Sequence, residues 1–177
     1  MILDSQELRG EFDALVSFFD LSRYFRFASR QSDRQQFEIL SDYYEFVGEI
    51  VARSGGTIIK FMGDSGLIIY PQSKAEDGIL AMLKLKEEGD IWLRERGAKC
   101  QHIIKVHFGS IICDLIGTKD DKRLDVIGQT VNIAATLNSK GLAISPQAFR
   151  QLSPKGRKMF KKHTEPITYI PQQQPHI

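Results

Sequence analysis

Gly55-Gly56-Thr57-Ile58-Ile59-Lys60-Phe61-Met62-Gly63-Asp64-Ser65-Gly66-Leu67-Ile68-Ile69-Tyr70 is the most informative run of this sequence. Two short, β-branched apolar segments flank Met62-Gly63-Asp64-Ser65-Gly66, the signature of a β-hairpin closed by a glycine-containing turn of about three to five residues. Asp64 then sits on the turn. A carboxylate between two glycines has little steric cover and can reach a metal ion or a phosphate-bound cation, although Asp is also an ordinary turn former. Two neighbours favour the chemical reading: Lys60 at the end of the incoming strand, and a second acid, Asp20, at the end of the apolar run Phe12 to Phe19.

The chain has 177 residues, 42% of them hydrophobic, which suits one domain able to bury its own core. Lys and Arg total 24 against 22 acids, a formal net charge of +2, so no global field argues for nucleic acid or an anionic membrane. Any anion site must be local. Met1 to Glu7 lack the basic and apolar regions of a signal peptide, and no apolar run has the length of a membrane span, so the expectation is a cytoplasmic protein. Cys100 and Cys113 lie in strand-like surroundings and read as buried reduced thiols rather than a disulfide framework. His102, His107 and His163 have no partner spacing that suggests zinc.

Periodicity gives a coarse order of elements. A buried strand over Phe12 to Phe19 ends at Asp20, and an aromatic-rich helical piece follows over Leu21 to Arg30. Ser32-Asp33-Arg34-Gln35 is a capping box opening a helix whose stripe is Phe37, Leu40, Tyr44, Val47 and Val51. After the hairpin, a helix spans about Lys74 to Arg96 with Ile79, Met82 and Leu83 as core, and Gly89-Asp90 argues for a break in it. Gln101 to Phe108 and Ser110 to Ile116 read as two strands joined near Gly109. A charged loop over Thr118 to Arg123, an extended Leu124 to Ile127 and a helix over Gly128 to Asn138 follow. A strand at Leu142 to Ser145, a helical turn at Gln147 to Leu152, a closing hairpin over Phe160 to Ile170 and a disordered tail from Pro171 complete the chain. Strands alternating with helices and ending in hairpins fit an α+β fold, helices packed on a mixed sheet.

The hairpin, Phe18-Phe19-Asp20 and Leu124-Asp125-Val126-Ile127-Gly128-Gln129-Thr130-Val131-Asn132-Ile133-Ala134-Ala135 together resemble the class III nucleotidyl cyclase catalytic domain, in that family's order and over nearly the whole chain. The resemblance implies a ferredoxin-like sheet flanked by helices over residues 12–170, with an N-terminal extension over 1–11 and a flexible tail over 171–177. It implies formation of a cyclic nucleotide from a nucleoside triphosphate with two Mg²⁺ or Mn²⁺ ions, Asp20 and Asp64 matching the metal-binding acids and Leu21 the backbone carbonyl beside them. Hard ions of this kind prefer carboxylates and keep several waters, so two acids suffice. Lys60 and Asp125 match the base-reading pair. A donor for adenine N1 and an acceptor for its N6 amine is the order adenine requires, which points to ATP, while a plain Lys–Asp ion pair is the alternative. Asn132 matches the asparagine that orients the ribose. Lys161, in Lys161-Lys162-His163, matches the segment supplying a phosphate-binding lysine, with a solvated basic face as the other reading.

Four positions depart from the family pattern, one of them Phe25, which stands at a threonine position of the phosphate turn. Thr136 stands where the family has an arginine one helical turn after Asn132, and a short hydroxyl does not replace a guanidinium facing phosphate. Arg23 occupies a glycine position in the phosphate turn, where it adds a phosphate contact or blocks the approach. Asp114 replaces a frequent glycine. The resemblance implies a head-to-tail homodimer with sites at the interface, because one chain carries both half-sites. The expectation is an adenylyl cyclase. The alternatives are a weakened cyclase-like domain acting as a nucleotide-binding or partner-binding regulatory module, or a cyclase for another base.

Overall fold

The computed structural model describes residues 8–176, so the reading of Met1 to Glu7 lies outside the described residues. Its frame is one sheet built on two long strands, β1 (Gly10–Leu21) and β4 (His102–Gly117), antiparallel from Gly10↔Cys113 to Leu21↔His102. The hairpin strands β2 (Thr57–Met62) and β3 (Ser65–Pro71) extend the sheet beyond β1, and β6 (Leu142–Ile144), β8 (Thr168–Pro171) and β7 (Phe160–His163) extend it beyond β4. The order is β2-β3-β1-β4-β6-β8-β7, with β5 (Lys122–Ile127) pairing to the far end of β4. The β4–β6 pair is parallel and the others are antiparallel, so the sheet is mixed. This is the α+β sheet flanked by helices that the sequence implies.

Helices α2 (Asp33–Arg53) and α3 (Ala75–Glu95) cover one face. Between them and the sheet lie Leu15, Phe19, Tyr43, Val47, Ile68, Tyr70, Ile79 and Met82. Alternation along β1 sends Ala14 and Val16 to the other face, where they meet Leu67, Ile69, Cys113, Val126 and Ala134 of α4 (Gln129–Thr136). The β4–β5 arm therefore folds back over this second face rather than projecting away from it.

The expected capping box is formed: Ser32 Oγ accepts from the Gln35 N–H while Gln35 Oε1 accepts from the Ser32 N–H at 2.9 Å. The expected stripe needs one correction. Phe37 is 65% exposed, and Tyr43 and Ile50 take its place in the core.

Two expected interruptions are absent. α3 runs unbroken through Gly89-Asp90, because a Cβ at Gly89 would stand 2.5 Å from His102 Cε1: the glycine admits a buried side chain. Gly109 likewise lies inside a continuous β4, where a Cβ would meet Thr130 Oγ1 at 2.6 Å. Its missing side chain lets α4 approach, and Thr130 Oγ1 donates to the Ser110 carbonyl at 2.7 Å. The charged loop is shorter than read, since Lys122 and Arg123 already belong to β5. Pro171–Pro175, read as a disordered tail, is bonded to the domain: Gln174 Oε1 accepts from the Leu142 N–H at 2.8 Å, and Gln172 Nε2 donates to the Phe160 carbonyl at 3.0 Å.

His102 centres a buried polar chain. Its Nδ1 lies 2.9 Å from Asp90 Oδ1, and Tyr43 Oη lies 2.7 Å from its Nε2. Burial pushes the Asp90 carboxyl up, but hydrogen bonds from His102 and Lys86 outweigh it and hold the group below its ordinary value. Asp90 is thus the acceptor, His102 Nδ1 carries the proton, and Tyr43 donates to Nε2.

Candidate active site

β1 runs through Asp20 to Leu21, two residues past the expected strand, and Phe19↔Gly66 pairing sets its end beside the hairpin turn. That turn is shorter than the expected three to five residues: only Gly63-Asp64 lies between Met62 and Ser65, because Ser65 and Gly66 already pair in β3. Gly63 has φ 65° and Asp64 does not join it at positive φ, the pattern of a two-residue type II′ turn. Tyr44 of α2 holds it from below, its hydroxyl donating to the Gly63 carbonyl at 2.7 Å and its ring stacked on Phe61 at 3.8 Å.

Asp20 and Asp64 therefore converge. Burial pushes the Asp64 carboxyl up from the ordinary carboxylate value. The Asp20 charge and a hydrogen bond between the two carboxyls push the same way, and backbone N–H groups of Asp64 and Leu21 oppose them. The Leu21 N–H also donates to Asp20 Oδ1 at 2.9 Å. Among the described residues no group of three or more His, Cys, Asp and Glu forms a metal cage. Two electrostatically coupled carboxylates beside the Leu21 carbonyl are nevertheless an all-oxygen donor set suited to a hard divalent ion that keeps much of its water. A neighbour that the sequence reading passed over adds to the fit. Tyr24, pushed up by burial and by Asp64, has a buried hydroxyl with no partner among the described residues.

Lys60 is aimed by an irregularity invisible in the sequence. The β2–β3 register shifts between Ile58 and Lys60, so Ile58 pairs with Ile68 but Lys60 pairs with Leu67. The bulge turns Ile59 and Lys60 to the same, second face. There Lys60 Nζ donates to Asp125 Oδ2 at 2.5 Å, joining β2 to β5. Asp125 stands directly across from Asp114, and each acid of this like-charge pair has its own cation, Asp114 facing Arg9 at 3.9 Å. The strand thus tolerates Asp114 where the family has glycine.

Asn132 is exposed on α4, whose last turn is held by Lys105, its Nζ donating to the Ala135 carbonyl at 2.8 Å. Thr136 Oγ1 donates back to the Asn132 carbonyl at 2.9 Å and lies 3.2 Å from that of Ile133, so its hydroxyl serves its own helix. Arg23 caps α1 (Tyr24–Ala28) with φ 61° and ψ 21°, a left-handed backbone normally given to glycine. The glycine geometry of the turn is kept, with a guanidinium attached. Lys161 is on β7, four strands from β1, and Phe160 in the helix-side core turns Lys161 to the opposite face from Lys162. One chain thus brings Asp20 to Asp64 and Lys60 to Asp125, and leaves Lys161 roughly 19 Å away from β1 at a strand spacing of about 4.8 Å.

The sequence matches the family described as the adenylate and guanylate cyclase catalytic domain over residues 11–169. The chain belongs to this family. Among curated relatives, adenylate cyclase 2 of Rhizobium meliloti (strain 1021) is 25% identical over 150 residues, covering 77% of this chain and 41% of the relative. Adenylate cyclase of Anabaena cylindrica is 22% identical over 130 residues, covering 69% of this chain and 26% of the relative. The chain thus spans well under half the length of these cyclases. Among solved structures, the adenylyl cyclase CyaB from P. aeruginosa superposes with TM-score 0.81 at 15% identity, covering 94% of this chain and 96% of that one. The guanylate cyclase domain of RhGC from Catenaria anguillulae, in complex with GTP, superposes with TM-score 0.75 at 19% identity, covering 90% and 96%. These likenesses establish the cyclase fold, on which both nucleotide specificities occur. No described helix is long and apolar enough to cross a membrane.

Proposed function

We propose that this domain is an adenylyl cyclase, converting ATP to 3′,5′-cyclic AMP and pyrophosphate in a site completed by a second copy of the chain. The observation that carries the base assignment is the Lys60–Asp125 pair. It sets one donor and one acceptor side by side, so adenine enters by accepting at N1 from Lys60 and donating from its N6 amine to Asp125. Guanine presents the reverse polarity at those edges.

In the reaction the ribose 3′-oxygen forms a bond to the α-phosphorus, the bond from that phosphorus to the β-bridging oxygen breaks, and the 3′-hydroxyl proton is released. Asp20, Asp64 and the Leu21 carbonyl would hold two Mg²⁺ or Mn²⁺ ions, which supply Lewis-acid activation of the hydroxyl and charge neutralisation on the leaving group. Asn132 orients the ribose. Arg23 and Lys161 meet phosphate oxygens, Arg23 from a backbone that keeps the turn open.

The dimer reading rests on the separation of Lys161 from the carboxylates and on apolar surface along the β4–β5 arm. Ile112, Ile116 and Ile127 are 54%, 49% and 53% exposed, and Ile112 pairs directly with Ile127 across the two strands, so they form a contiguous apolar surface that a second copy would cover. The engaged hydroxyl of Thr136 favours slow turnover and keeps the regulatory-module reading as the alternative. Incubation with ATP, GTP, CTP and UTP in turn, with Mg²⁺ or Mn²⁺, separates the readings. Cyclic AMP from ATP that vanishes in Asp64→Ala supports the proposal; a cyclic product from GTP alone overturns the Lys60–Asp125 assignment, and no product from any nucleotide favours the module.

A further inference from the structure

A cavity of about 460 Å³ opens between α1 and the segment leading from α3 to β4, beside the Asp20–Asp64 pair and sharing Arg23 with the phosphate turn. Arg23, Arg26, Arg30, Arg96 and Lys99 line it, and no carboxylate does. Among the described residues Arg23, Arg26, Arg30 and Lys99 have no acidic partner within ion-pair distance. Arg96 is held in place, its guanidinium 3.7 Å over the Trp92 ring and its Nη1 donating to the Trp92 carbonyl at 3.3 Å. An adjoining cavity of about 690 Å³ also contains Arg23 and Lys99 and adds Arg94 and Lys140. Its one acid, Asp90, is already engaged by Lys86 and His102.

In a chain with a net charge of only +2, this concentration of cations is local. Guanidinium groups do not shed their protons to relieve mutual repulsion, so a bound anion is what stabilises them together, and their forked donors match phosphate oxygens. The volume is that of a small-molecule site. Neither Asp20 nor Asp64 lines either cavity.

We infer that the cavity between α1 and the α3–β4 segment is a metal-independent binding site for a small molecule carrying two or three linked phosphates, adjoining the Asp20–Asp64 pair and sharing Arg23 with the phosphate turn. Its position suggests control of the phosphate turn, because a ligand that draws Arg23 outward withdraws it from the α1 entry. The recognised chemistry is the phosphate chain, supplied either by an inorganic polyphosphate or by a nucleotide.

Isothermal titration calorimetry in EDTA tests this, with inorganic triphosphate and with ATP as separate probes, on the wild type, Arg26→Ala/Lys99→Ala and Asp64→Ala. The substitutions at 26 and 99 are at exposed positions, and thermal melts confirm that each variant is folded. The expected result is saturable binding to the wild type, weakened roughly tenfold or more in the double variant and unchanged in Asp64→Ala. Equal affinity for the two probes assigns recognition to the phosphate chain, and tighter ATP binding assigns a nucleotide. No saturable binding at millimolar probe, binding retained in the folded double variant, or binding abolished by Asp64→Ala overturns the inference. Because no step requires turnover, the outcome is independent of whether ATP is cyclised.

Discussion

Thr136 lies one helical turn beyond Asn132, and its hydroxyl is donated to the carbonyl of that same residue. A group so engaged offers nothing to an α-phosphate, so in the proposed cyclase the charge developing there would be met by fewer donors than an arginine at this position supplies. Replacing it with Arg is expected to raise kcat on ATP by about tenfold or more, since a single well-placed donor is worth roughly 10²–10³ in rate. KM should change little, and initial rates across ATP concentration check both. Asp64 offers a second test, with a sign set by its surroundings. Its carboxyl is pushed up in the fold, so the folded protein binds more protons than the unfolded chain just above the ordinary carboxylate value, and stability falls as pH rises through that window. Asp64→Asn is therefore expected to melt higher than wild type at neutral pH, with the gain shrinking below about pH 4. Added Mg²⁺ should raise the melting temperature of the wild type and not of the variant. Both acids were legible in the sequence as a strand end and a turn; their mutual proximity was not, because it depends on β1 continuing to Leu21 beside β3.

The elements show why glycine misleads. Gly89 and Gly109 read as a helix break and a strand junction, yet both sit inside continuous elements and make room for His102 and Thr130. Sequence periodicity reports the chain's own backbone, whereas these glycines answer to a neighbour distant in sequence. Gly89→Ala places a methyl group 2.5 Å from His102 Cε1 and is expected to destabilise the fold by about 1–3 kcal/mol despite the better helix propensity of Ala. Urea unfolding monitored by circular dichroism measures it. The Ile59 bulge was equally hidden, because an alternating apolar strand gives no sign of where register slips. Without it Lys60 would face α2 and not Asp125. The tail was misread for another reason: Gln172 and Gln174 are polar enough to suggest disorder, but they satisfy backbone groups of the domain.

At the scale of the whole molecule, the buried His102 network sets the acid limit. Burial lowers the His102 pKa, so it stays neutral in the fold while the unfolded chain takes up a proton below its ordinary value of 6.5. The unfolded state then binds more protons, and stability falls as pH drops through that value. Melting temperatures should decline from pH 7 to pH 5, and less steeply in His102→Gln. The succession of strands and helices along the chain was legible from alternation and from the capping box; the order of the strands in the sheet and the return of the β4–β5 arm over the second face were not, since pairing and packing between residues distant in sequence fix them. That arm brings Asp125 to Lys60 and leaves Ile112, Ile116 and Ile127 in water, the surface on which the proposed dimer would form. Asp64→Ala and Asn132→Ala proteins, each inactive alone, should be mixed, allowed to exchange subunits and assayed for cyclic AMP from ATP. If each site takes its carboxylates from one chain and Asn132 from the other, half the dimers carry one intact site of two, and the mixture recovers about a quarter of wild-type activity. No recovery, under conditions where identically treated wild type remains active, contradicts the account.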